Sequence, residues 1–126
     1  MKRAIAITAV LLTGACTMID TQRAAPDDWP RLALYEHHVP VGELWRQCYP
    51  AMGLWAKLIL ATPEGCYKLS FDRMRCDMYF FKGYEDSRVT QHEQEHCAGM
   101  DHPGDSTLHN AWTKWKTAHP DYKLAQ

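Results

Sequence analysis

His92-Glu93-Gln94-Glu95-His96-Cys97-Ala98-Gly99-Met100-Asp101-His102 is the stretch from which the rest of the chain can be read. It has the form H-E-x-x-H-x-x-G-x-x-H. His92 and His96 are one helical turn apart, so a helix carries both imidazoles on one face. Two imidazoles so placed can reach one ion at about 2.0–2.1 Å. Glu93 lies at the edge of that face, where its carboxylate can hydrogen-bond a water on the ion without being a ligand. Gly99 supplies the positive φ with which a helix stops and reverses. The reversal returns His102 as a third ligand. Three protein ligands leave one position of a tetrahedral Zn²⁺ open, which is the catalytic rather than the structural arrangement. The spacing therefore predicts one Zn²⁺ on His92, His96 and His102.

The same residues resemble the zinc signature of the metzincin metallopeptidases at all its fixed positions, over residues 92–102. The resemblance implies His92, His96 and His102 as metal ligands and Glu93 as general base. Metzincins also place a Met-containing turn beneath the metal, after the third His. Here no Met follows His102; Met100 lies inside the motif. Asp101-His102 also resembles the signature of the rRNA-maturation endonucleases, but that family typically lacks a Glu after its first His, and Glu93 turns the reading towards a peptidase.

The start of the chain bears on where it works. Met1-Lys2-Arg3 is basic, residues 4–12 are apolar apart from Thr8, and Thr13-Gly14-Ala15-Cys16 follows. This is the build of a secretory signal peptide, residues 1–15. The apolar run is far short of the roughly 20 residues that span a bilayer. Cys16 after Gly14-Ala15 resembles a bacterial lipobox, with Thr13 where Leu is usual; it implies a diacylated Cys16 and a membrane held through that lipid. Thr17, which is not Asp, then points to the outer membrane, facing the periplasm. Of five Cys, lipid on Cys16 leaves Cys48, Cys66, Cys76 and Cys97, an even set. Two disulfides are expected in an exported chain of this size, with three pairings open. Loss of residues 1–15 leaves 12 basic and 15 acidic side chains. That is no footprint for nucleic acid.

Residues 16–31 are polar with Ala and Pro and read as a tether. His37-His38 read as surface histidines, and residues 41–48 as a short helix. Residues 54–60 are the most apolar run, bounded by Gly53 and Pro63; length and flanks favour a strand. Residues 66–71 and 75–81 alternate as a hairpin. Asp86 or Ser87 can cap a helix over residues 88–98, and Ser106 one over 107–119, whose Leu108, Ala111, Trp112 and Trp115 recur at helical spacing. The expected fold is thus a small single α+β domain, residues 32–126. In it a short antiparallel hairpin packs against the zinc-binding helix and a C-terminal helix.

These features predict a zinc-dependent hydrolase of the cell envelope, a peptidase acting on peptides or envelope proteins. Asp101 and Glu95 are candidates to orient the outer ring nitrogens of the ligands. The competing expectation is an envelope lipoprotein that binds zinc without turnover, which the short chain and the missing Met-turn favour.

Overall fold

The centre of the molecule is a strand whose side chains are buried on one face and half-buried on the other. A computed structural model describes residues 23–83 and 85–123. In it β3 (Arg75–Phe81) is the middle strand of a three-stranded sheet of order β1-β3-β2. The expected signal peptide and Cys16 lie outside the described residues. β2 (Gly65–Ser70) pairs antiparallel with β3, from Gly65↔Phe80 to Ser70↔Arg75, as the alternating sequence predicted. The third strand, β1 (Ala33–Val39), joins the other edge in parallel, from Ala33↔Arg75 to Val39↔Phe81.

Alternation along β3 sorts the core into two parts. Cys76, Met78 and Phe80 face one way and pack with Val89 and Cys97 of α3 (Ser87–Cys97). Tyr79 and Phe81 face the other way, against Leu44 and Cys48 of α1 (Val41–Cys48). The sheet therefore lies between α3 and α1. One disulfide crosses each part: Cys48–Cys66 ties α1 to β2, and Cys76–Cys97 ties β3 to α3. Removing the second bridge as Cys76→Ala/Cys97→Ala frees a loop of 21-residue separation. Chain entropy then predicts a loss of about 3 kcal/mol, read as a lower denaturant midpoint.

α4 (Thr107–Ala118) closes the far end of the hairpin. Its Trp112 is fully buried and packs edge-on to Trp29 and against Phe71, at ring separations of 6.2 and 5.1 Å. Leu108 is buried with it, whereas Ala111 is exposed. Ser106 holds the N-cap position of α4 but makes no capping bond with its side chain; Asp105, one residue earlier, accepts from Thr107 N at 2.9 Å. The Ser106 hydroxyl instead takes the Arg23 guanidinium at 2.5 Å.

Two expectations are corrected. The run at 54–60 is no strand: α2 (Leu54–Leu58) is a short helix whose one buried residue is Ala56. Leu54 to Leu58 contains no β-branched side chain, and the helix stops at Ile59, the first that does. The tether is also shorter than residues 16–31. From Arg23 on, the chain lies against the body, where Arg23 and Asp101 exchange both backbone hydrogen bonds at 3.1 and 3.2 Å. Asp28 bonds Trp112 Nε1 at 3.2 Å and pairs with Lys116.

Candidate metal centre

α3 begins where Asp86 accepts from Arg88 N at 2.9 Å, the cap expected from its side chain. Its buried residues are Val89, His92, Glu93, His96 and Cys97. Their spacing of three, one, three and one is the stripe of an amphipathic helix. Most of this stripe is polar, although it faces the core. His92 and His96 are 6 % and 4 % exposed, and Glu93 is completely enclosed. Burying such groups is costly unless they find partners.

The helix ends as the glycine predicts. Gly99 has φ +90°; its N–H bonds His96 O at 2.9 Å, and Met100 N–H bonds Glu95 O at 3.0 Å. This pair of bonds is a Schellman cap. The turn also brings Met100 O to His96 Nδ1, 2.8 Å away. A carbonyl only accepts, so Nδ1 carries the proton and Nε2 presents its lone pair away from the cap. His102 then arrives beside both helix histidines, with ring centroids 5.0 Å from His92 and 4.7 Å from His96. One nitrogen of each ring lies within 4.8 Å of the others, so the three histidines together can hold a metal ion.

Two details suit a metal. His92 Nε2 and His96 Nε2 are 3.2 Å apart. Two nitrogens bound to one tetrahedral ion at about 2.05 Å would be about 3.3 Å apart. His102 Nδ1 is buried with no hydrogen bond among the described residues. Protonation is opposed at the helix pair. Burial lowers the His92 pKa, with His102 adding to the effect and Glu95 opposing it, and burial pushes His96 down to about 4. Neutral imidazoles are the form a metal requires.

Of the two residues expected to orient ligands, Asp101 does something else. It is 1 % exposed and its carboxylate faces the amino end of α4, near Leu108 N at 3.4 Å and His109 N at 3.5 Å. Adjacency in sequence does not bring the Asp101 carboxylate to His102 Nδ1. Glu95 accepts from Gln91 at 3.1 Å one turn back and reaches His92 through its charge.

Three contributors were not foreseen. Met100 orients His96 through its backbone, which leaves no mark on residue type. Tyr67 of β2 stacks on the His96 ring, centroids 4.7 Å apart. Trp29 covers Gly99 and donates Nε1–H to Cys97 O at 3.0 Å. A Cβ on Gly99 would sit 2.4 Å from the Trp29 ring. Gly99→Ala thus combines an unfavourable φ with a steric overlap. We expect a loss of about 2–4 kcal/mol in unfolding free energy, and weaker metal binding in competition titrations.

Comparison with known proteins found no family model, no characterised protein and no solved structure that matches this chain.

Proposed function

We propose that the protein is a zinc-dependent hydrolase, a metallopeptidase of the cell envelope, with Zn²⁺ on His92, His96 and His102. The observation that supports this reading is the convergence of three imidazoles on α3 and its capping turn, with the Glu93 carboxylate buried on the same stripe. The match of these residues to the metzincin signature supports a peptidase, and the lipobox-like Cys16 supports a lipid-anchored location.

When bound, Zn²⁺ supplies the Lewis acidity that activates a water and polarises a scissile carbonyl. Glu93 takes the proton of the attacking water and passes it to the leaving amine. Met100 O holds His96 in the tautomer that keeps Nε2 free. Tyr67 holds the ring plane. β2 is an edge of the sheet among the described residues, and its Tyr67 touches His96. A peptide adding to that edge would run past the site, its backbone bonded by the strand.

A second reading, zinc binding without turnover, is favoured by the complete enclosure of Glu93. The test is metal analysis of the purified protein together with cleavage of a broad peptide and peptidoglycan panel, with and without a chelator. Chelator-sensitive cleavage that returns with Zn²⁺ is expected. Bound zinc with no cleavage across the panel would favour the second reading.

A further inference from the structure

Five large apolar side chains stand in solvent within seven residues. Leu54, Trp55, Leu58, Ile59 and Leu60 are 62–74 % exposed. Four of them, Leu54, Trp55, Leu58 and Ile59, fall on one arc of about 140° around α2. Ala56, on the opposite side, is buried. Scattered exposed leucines are normal, but a contiguous group marks a contact surface.

The fold does not ask for these residue types. Leu60 has a φ of 53°, in the left-handed region that Gly or Asn occupies with less strain. Its side chain is 71 % exposed, so neither backbone nor core requires leucine there.

Chain length identifies the occupant. Arg23, already held against the body by its backbone, lies seven residues after Cys16. Seven residues reach at most about 25 Å. A lipid on Cys16 would keep the whole domain near a bilayer, where such a patch meets acyl chains.

We propose that residues 54–60 are a membrane-surface patch. Trp55 sits at headgroup level, and the leucines and Ile59 enter the acyl boundary. No helix among the described residues is long and apolar enough to cross a membrane, and the contact is interfacial. The proposal takes from the envelope reading only the reach of the tether.

The test uses the full chain with vesicles of phosphatidylethanolamine and a minority of phosphatidylglycerol, carrying brominated acyl chains. Bromine quenches a tryptophan only on close approach. Wild type should float with the vesicles and be quenched. The quenching should fall about fivefold in Trp55→Phe and persist in Trp45→Phe. Leu58→Ser/Ile59→Ser should reduce it as well, with Trp55 still present. If wild type floats but Trp55 contributes no quenching, the anchor stands and the patch does not. If wild type stays off the vesicles, the patch is overturned. Self-association that shields Trp55 without vesicles would also overturn it, in favour of a second copy as the occupant. If Cys16→Ser floats with Trp55 quenched, the patch holds and the anchor is not needed for it.

Discussion

Glu93→Gln is expected to abolish turnover while leaving zinc in place. The amide keeps the shape of the carboxylate but cannot accept the proton of the attacking water. General-base catalysis contributes typically 10²–10⁴-fold, and a loss of that order in kcat is the expected result. Zinc content and thermal stability should change little, because the three histidines are untouched. A Gln variant that keeps wild-type turnover with zinc bound would remove Glu93 from the mechanism.

His96→Ala is expected to have the largest effect on the metal. This ring is the best held of the three, by Met100 O on one nitrogen and by Tyr67 on its face. Losing a partner that merely orients a ligand typically weakens metal binding by 10–100-fold, so losing the ligand should exceed about a hundredfold. Competition with a chromophoric chelator would measure it. His37→Ala and His119→Ala are the controls. His37 pairs with Asp77 on the sheet, and His119 stacks on Trp115 in α4. Neither should alter affinity. His109→Ala is a finer control, since His109 bonds Gly99 O at 3.2 Å and only steadies the turn; a loss within about tenfold is expected. Full zinc retention in His96→Ala would sink the ligand assignment.

Much of the site could be read before the structure because its signals are local. Histidines one turn apart, a glycine at the reversal and a capping Asp86 act over a few residues, and each fell where its spacing placed it. The hairpin followed from alternation in the same way. What escaped the sequence depends on distant partners. β1 pairs in parallel with a strand that comes only after α1, α2 and β2, and Ala33 to Val39 is mostly exposed, with no alternation to announce it. Trp29 and Arg23 sit in a stretch whose composition suggests a tether, yet they are fixed by Gly99, Cys97 and Asp101. Residues 54–60 misled for a different reason. Apolar composition reads as burial, and there the apolar side chains face outward.

The pattern of the crosslinks bears on how the protein is made. Four cysteines can join in three ways, and the observed way links each to its next neighbour, Cys48 to Cys66 and Cys76 to Cys97. Neither loop encloses or crosses the other. With Cys16 lipidated, as proposed, a chain that met oxidant amino end first would offer Cys66 to Cys48 before Cys76 or Cys97 had emerged, and the later pair would have only itself. Order of emergence would then favour the native connectivity.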